Sequence, residues 1–478
     1  MRRIRFIGRD NPLEKLKSLL NKRTSSLVVI RGRRRIGKSR LVEEFAKDLP
    51  FLSFSGLPPS ENTNAQSQRD EFARQLQERL GLPGLKGDDW GDLFTLLAKQ
   101  TAQGRRIILL DEITWMGSLD PNFLGKLKIA WDLYFSKNPE LILILCGSVS
   151  SWIEKNIISS TGFFGRISQK IILEELKLPS CNQLLAEVGY RGSPMEKLML
   201  LSITGGVPWY LELINPELSA GENIKRFCFE KDGILLDEFR QIFHDIFGTR
   251  SEIYQKIVRL LIDGPKEYKE ISSLLTYSSG GPLSEYMNEL CISGYVEKDY
   301  TWSIKTGTLS TFFRYRLGDN FLRFYLKYVE PKFEKITKGY YTNRSLGDLP
   351  GWSSIVGFQF ENLVLHNRKL ILKQLNINPA DIIYDNPFFQ RKTTKQEGCQ
   401  IDYLIQTRYQ TLFLCEIKFS QNSIPLSVTE EVEEKMKRLK YHKGFSCVPV
   451  LIHASDLSSQ LRKSDYFLKT IDFRECLK

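Results

Sequence analysis

Residues 27–45 read LVVIRGRRRIGKSRLVEEF. The β-branched run Leu27 to Ile30 leads into Gly32-x-x-x-x-Gly37-Lys38-Ser39. Leu41, Val42 and Phe45 then recur at the three- and four-residue spacing of a helix face. Strand, glycine-bounded loop and helix in this order make a phosphate-binding unit. The glycines let backbone amides close on phosphate oxygens, Lys38 supplies a point charge to the β/γ oxygens, and the Ser39 hydroxyl reaches Mg²⁺. The nucleotide cradle expected from this stretch is Gly32, Arg33, Arg34, Arg35, Ile36, Gly37, Lys38, Ser39 and Arg40.

Around this stretch lie 478 residues, enough for roughly three domains at about 150 residues each. With 42% hydrophobic and 26% charged residues the composition is that of an ordinary globular chain. The net charge of +12 and pI near 9.1 point to a polyanionic partner, nucleic acid before anionic membrane. No apolar run approaches about 18 residues, and the basic start Arg2, Arg3, Arg5 has no hydrophobic region behind it, which argues against a spanning or secreted chain. The eight cysteines form no C-x-x-C pair and the four histidines no ligand spacing, so a structural zinc or disulfide framework is not expected and a reducing cytoplasm fits.

Downstream, Phe51 to Phe54 reads as a short strand, Pro58 to Gln66 as a loop, and the stretches Phe72 to Leu80 and Trp90 to Leu97 as helices. Arg105 to Trp115, RRIILLDEITW, is a strand buried on both faces that delivers Asp111 and Glu112 at its C-terminal end. Asp111 is expected to hold Mg²⁺ through water, and Glu112 to orient or deprotonate the attacking water. A second buried strand, Leu141 to Gly147, ends in Ser148 with Ser150 and Ser151 close behind. Ser148 either senses the γ-phosphate or the attacking water, or caps a helix. Arg166, after Gly165, is a candidate for stabilising the transferred phosphoryl group, in cis or from a neighbouring subunit.

Phe6-Ile7-Gly8-Arg9, the P-loop, Leu110-Asp111-Glu112, Cys146-Gly147-Ser148, Gly165-Arg166 and Thr204-Gly205-Gly206-Val207-Pro208 follow one another in the order seen in archaeal-type P-loop ATPases. The chain resembles that group, itself similar to AAA+ and STAND regulators. The resemblance implies that Ile7, Gly8 and Arg9 lie near the adenine and that Pro208 belongs to a helical lid. Arg33-Arg34-Arg35 inside the loop departs from the pattern, and beyond attracting anions its purpose is not legible.

Leu176 to Phe247 reads as helical throughout, with breaks at Gly189, Gly192, Gly205-Gly206 and Pro208. Glu252 to Gly318 reads as three helices (Ile253 to Leu261, Lys269 to Leu275, Leu283 to Ile292) and a β-hairpin turning at Lys305 to Gly307. This resembles a winged helix. Its third helix carries Glu285 and Glu289 beside Ser284 and Asn288, a poor face for DNA and a better one for packing on protein.

A second chemical signal lies between Gly398 and Ser420. If a hairpin turns at Tyr409, Asp402 faces Glu416 across the ladder, and Lys418 shares their face by the strand period of two. Like charges opposite one another destabilise a sheet unless something compensates; a divalent cation does, with Lys418 placed to position water. Asp402 with Glu416-x-Lys418 resembles the PD-(D/E)XK nucleases, and the resemblance implies Glu361 as the helical acid.

The expected fold is α/β: a P-loop NTPase αβα sandwich (1–175), a helical lid (176–248), a winged helix (249–330) and a C-terminal α/β PD-(D/E)XK-like domain (335–478). The expected function is ATP hydrolysis coupled to a metal-dependent DNA nuclease, with ATP and Mg²⁺ at one site and Mg²⁺ or Mn²⁺ at the other. The alternative is a nucleotide-gated regulator whose C-terminal domain only binds. DNA is the favoured partner, a homo-oligomer or protein partner is possible, and a membrane is not expected.

Overall fold

The computed structural model describes all residues except 1–3, 61, 83, 149–150, 248–249, 278–280, 342–344 and 395; for 244–246 only the backbone is described. Arg2, Arg3 and Ser150 therefore lie outside the described residues. Strands β1 (Ser26–Gly32), β2 (Phe51–Ser55), β3 (Arg106–Asp111), β4 (Leu141–Ser148) and β5 (Ile167–Leu173) form a sheet in the order β2-β3-β4-β1-β5. Every neighbouring pair is parallel. Both faces are covered, which is why these runs are apolar at successive positions. Leu27, Val29, Leu143 and Leu145 face one core, while Val28, Ile30, Ile142 and Ile144 face the other. The arrangement brings the C-terminal ends of β1, β3 and β4 to one edge, where Ser148 pairs with Gly32.

Two local expectations change. The helix expected from Phe72 starts earlier, at Ala65, and runs to Leu80. Asn64 accepts from Ser67 N while Ser67 Oγ accepts from Asn64 N, and this capping box ends the loop two residues before Gln66. Pro208 does not break a helix. It occupies the first turn of Pro208–Glu212, where its missing N–H has no helical acceptor to satisfy.

The lid region contains helices Leu178–Glu187, Pro194–Thr204, Pro208–Glu212, Ala220–Cys228 and Glu238–Phe247. Helices Ser251–Leu260, Tyr268–Leu274 and Pro282–Ile292 follow, then the antiparallel pair β6 (Val296–Ser303) and β7 (Thr308–Leu317). The acidic face of Pro282–Ile292 is used internally. Glu289 is buried, accepting from Ser151 Oγ at 2.7 Å and from the Tyr254 hydroxyl, and Glu285 pairs with Lys155 at 2.5 Å. The acids that made this helix a poor DNA reader thus dock it on the segment after β4.

The C-terminal sheet has the order β12-β11-β10-β9-β8, built from β8 (Ile382–Gln390), β9 (Cys399–Thr407), β10 (Thr411–Lys418), β11 (Ser446–His453) and β12 (Lys469–Asp472). Strands β8, β9 and β10 are antiparallel neighbours, and β11 and β12 are added in parallel. One face packs on helix Trp352–His366, the other on helix Val428–Arg438. A single hydrophobic core runs from Leu176 through the lid, the three-helix unit and Trp352–His366 to Ile452 and Leu477. The expected boundaries at 248 and 335 therefore cross continuous packing. No helix among the described residues is long and apolar enough to cross a membrane.

Candidate functional site

Strand β1 ends where its backbone crowds β5: a Cβ on Gly32 would lie 2.7 Å from Leu173 O. Gly37 has φ 89° and caps helix Lys38–Phe45, a conformation that costs glycine little and other residues about 1–2 kcal/mol. Lys38 Nζ donates to Gly32 O and Arg33 O, each at 3.2 Å, so its charge is held at the loop by neutral carbonyls. Ser39 Oγ donates to Asp111 Oδ2 at 2.6 Å. Hydroxyl and carboxylate thus meet from β3 and the P-loop helix, a donor pair suited to a hard cation such as Mg²⁺. Glu112 adopts φ 50°, a left-handed conformation rare outside glycine and frequent at functional positions. Its Oε2 is buried without a hydrogen-bond partner, and burial pushes its carboxyl above the usual range despite the nearby Lys38.

Gly37, Lys38, Ser39 and Glu112 border a cavity of about 420 Å³, with Gly32 and Asp111 outside its lining. Ile7, Arg9, Arg34, Arg35, Ile36, Gly37, Lys38, Ser39, Arg40, Glu112 and Pro208 line it, together with Trp209 and Glu212. Gly8 sits against Ser180. Arg9 donates to Glu174 O at 2.8 Å and Ile36 O at 3.0 Å, and burial lowers its guanidinium to about 10. Ser148 stands beside Gly32 in the register. Arg166 is directed elsewhere: its Nε and Nη2 donate to the two Asp132 oxygens at 2.7 and 2.9 Å.

The three loop arginines have separate fates. Arg33 does not line the cavity; its buried guanidinium pairs with Asp319 and with Glu175 at 3.2 Å, and lies 5.4 Å from the Tyr295 ring centroid. Arg35 forks onto both oxygens of Glu238 at 3.2 and 3.3 Å and stacks on Trp209 at 3.8 Å. Arg34 lines the cavity. The loop is therefore bolted to the lid and to the residues after β7, a purpose invisible in the sequence because Glu175, Glu238 and Asp319 lie far along the chain. Asp319 also caps helix Asn320–Phe324, whose Asn320 is bonded to Asn362 beside Glu361.

At the second candidate site the hairpin has the expected register. Leu404 faces Leu414 and Tyr403 faces Cys415, where the paired ladder ends, and Asp402 and Glu416 are the residues just beyond that last pair. The ladder opens there: Ile417 N donates to Asp402 Oδ2 at 2.9 Å. Burial and Glu416 raise the Asp402 carboxyl to about 6, and burial and Asp402 raise Glu361 as well. What compensates the pair in this structure is the chain's own lysines. Lys435 Nζ lies 2.5 Å from Glu416 Oε2 and 3.8 Å from Asp402 Oδ1, and Lys418 Nζ lies 3.1 Å from Glu416 Oε1. Lys418 also meets Glu431 at 2.9 Å. Among the described residues no group of three or more His, Cys, Asp or Glu side chains is arranged to hold a metal ion. The two carboxylates are donors of the right chemistry for Mg²⁺ or Mn²⁺, with ammonium groups against them.

Sequence reasoning missed Lys435 although a signal was present. Val428, Val432 and Leu439 form the buried stripe of helix Val428–Arg438 and its end, and Lys435 falls on that stripe at the seventh position from Val428. A lone cation on an apolar face needs a buried anion, and Glu416 supplies it.

Residues 6–214 match a family described as an ATPase domain predominantly from Archaea. An uncharacterized protein of Methanocaldococcus jannaschii is 22% identical over 368 residues, 75% of this chain and 76% of that protein. Among solved structures, a Walker-type ATPase of Pyrococcus abyssi superimposes with a TM-score of 0.50 at 18% identity, covering 68% of this chain and 97% of that one. The ORC2 protein of Aeropyrum pernix, solved in ADPNP–ADP complexes, gives 0.41 at 14% identity over 69% and 94%. The Pyrococcus likeness bears on fold alone; the family match over residues 6–214, with Ser39 bonded to Asp111 beside the P-loop cavity, makes this segment similar to the ATPase domains found predominantly in Archaea.

Proposed function

We propose that this chain hydrolyses ATP at the P-loop cavity and couples that turnover to metal-dependent cleavage of DNA at Asp402 and Glu416. At the first site Lys38 binds the β/γ phosphates, Ser39 and Asp111 hold Mg²⁺, and Glu112 takes the proton of the attacking water. The buried, unpaired Glu112 Oε2 and the raised carboxyl suit that role, since a base works best with a pKa nearer neutrality. Ser148, beside Gly32, is placed to sense the occupied loop. Arg166 is tied to Asp132 within its own chain, so a contribution to phosphoryl transfer requires that pair to open.

At the second site Asp402 and Glu416 supply the ligands, Lys418 positions water, and Glu361 on helix Trp352–His366 adds negative charge near the pair without completing a three-ligand group. A divalent cation bound there supplies Lewis-acid polarisation of a phosphodiester. The observation that supports the reading is that the Asp402 and Glu416 carboxylates lie just beyond the last hairpin pair and share the Lys435 ammonium, with Lys418 two residues on. The three helices and the β6–β7 pair serve as a winged helix packed on the ATPase segment, and the excess of Lys and Arg attracts the DNA backbone.

One observation favours a second reading: both oxygens of Glu416 are held by ammonium groups, as suits a structural ion-pair cluster in a regulator that only binds. Plasmid and single-stranded DNA incubated with the protein and Mg²⁺ or Mn²⁺, with and without ATP, separate the two. The nuclease reading expects metal-dependent products from the native chain and none from Asp402→Ala. Intact DNA under every condition, with ATP still hydrolysed, leaves the regulator.

A further inference from the structure

The Lys435 ammonium stands between the two carboxylates, 2.5 Å from Glu416 Oε2 and 3.8 Å from Asp402 Oδ1. That is where a cation bridging the pair would bind. Its position is imposed from both ends. Val428 and Val432 bury one face of the helix, and Cys399 Sγ, on the strand that carries Asp402, donates to Lys435 O at 3.4 Å. The two lysines of the site differ in their alternatives. Lys418 keeps Glu431 as a second partner, whereas the acids that Lys435 meets among the described residues are Glu416 and Asp402 alone. The Lys435 side chain is 27% exposed, so its four-carbon stem has solvent to swing into.

We propose that Lys435 is a built-in competitor for the divalent cation: its ammonium neutralises the Asp402–Glu416 pair in the metal-free protein, and metal binds only by displacing it. The inference rests on the metal-site reading above. Two carboxylates held by a monovalent point charge lose little when a divalent cation replaces it, but the apparent affinity falls by the fraction of molecules in which the ammonium has left. The displaced ammonium stays within a side chain's length of the pair, so an anionic phosphodiester at the metal would give it a new partner. DNA then favours the metal-loaded state, and the site rests neutralised when DNA is absent.

The test uses Mn²⁺ as probe, titrated calorimetrically into the full chain without nucleotide. Lys435→Met keeps the stem and removes the charge; it should lower the Mn²⁺ dissociation constant by about 10-fold or more. Lys435→Gln should shift it the same way, which guards against a folding defect peculiar to Met. Adding Asp402→Ala to Lys435→Met should abolish the gain and assigns the binding to this site. Thermal melts provide a second readout: Lys435→Met should melt lower than the native chain without metal, and Mn²⁺ should raise its midpoint by more. Unchanged or weaker Mn²⁺ affinity in both Lys435 variants, with DNA still cleaved by the native chain, overturns the competition and leaves the nuclease reading standing. Tighter Mn²⁺ binding without DNA cleavage supports the competition and overturns the nuclease. No Mn²⁺ binding by any variant overturns both.

Discussion

The P-loop gathers cations and the β9–β10 hairpin gathers carboxylates, and at both places distant parts of the chain bring up partners of the opposite sign. They do so to different extents. Arg33 and Arg35 are engaged by Glu175, Asp319 and Glu238, while Lys38 is held by two neutral carbonyls and keeps its charge for a phosphate. Glu416 has an ammonium on each oxygen. Of two charged sites in one chain, the first is therefore ready for its anion, and the second has to give up a contact before it accepts a cation. The difference follows from geometry. A glycine loop surrounds Lys38 with backbone that carries no charge, whereas β10 lies under a helix rich in Lys and Glu.

The largest effect expected from this contrast is on ATP turnover. Lys38→Ala should abolish tight nucleotide binding, and Glu112→Gln should retain binding while slowing hydrolysis by about 10²–10⁴-fold, measured as phosphate release and nucleotide affinity in parallel. Normal hydrolysis by the Lys38 variant would break the assignment of the anion site.

Next in size is the P-loop bolt. Arg33→Ala leaves Asp319 buried without its cation, and the expected loss is about 3–5 kcal/mol in urea unfolding. Arg33→Met combined with Asp319→Leu should recover most of it, because a buried ion pair replaced by apolar side chains is often neutral. Equal losses in single and double variants would show that the loop needs the charge itself.

The two carboxylates of the hairpin should respond unequally. Removing like charge from a facing pair relieves repulsion, and from sequence alone relief is expected for either residue. With the lysines in place the expectation holds for Asp402→Ala, which should stay within about 1 kcal/mol of the native chain without metal. Glu416→Ala removes the partner shared by two partly exposed ammonium groups, leaving Lys418 with Glu431 and Lys435 with Asp402 at 3.8 Å, and should cost about 1–3 kcal/mol. Thermal melts in a chelator compare them, and identical losses would contradict the central position given to Glu416.

The smallest effect belongs to Arg166. Its pair with Asp132 is solvent-screened, so Arg166→Ala should leave the thermal midpoint almost unchanged. A marked fall in phosphate release with the midpoint unchanged, under conditions where the chain self-associates, would restore a role in trans.

Much of this molecule was open to reading from local pattern. The strand, loop and helix of residues 27–45, the buried strands ending at Asp111 and Ser148, and the hairpin register up to Tyr403 and Cys415 rest on periods of two and 3.6 residues that the backbone itself imposes, so neighbouring residues suffice to reveal them. The start of helix Ala65–Leu80 escaped because a capping box of Asn64 and Ser67 outweighed a polar stretch that resembles a loop. Charge partners were out of reach for a different reason. Whether Arg33 meets Asp319, Arg166 meets Asp132, or Lys435 enters the carboxylate pair depends on how whole elements pack, and no local period connects residues on separate elements. The sequence by itself determined which chemistry each strand end carries; the tertiary structure alone decided which of those charges remain available, because in a packed interior each buried charge takes the nearest opposite one, wherever along the chain it comes from.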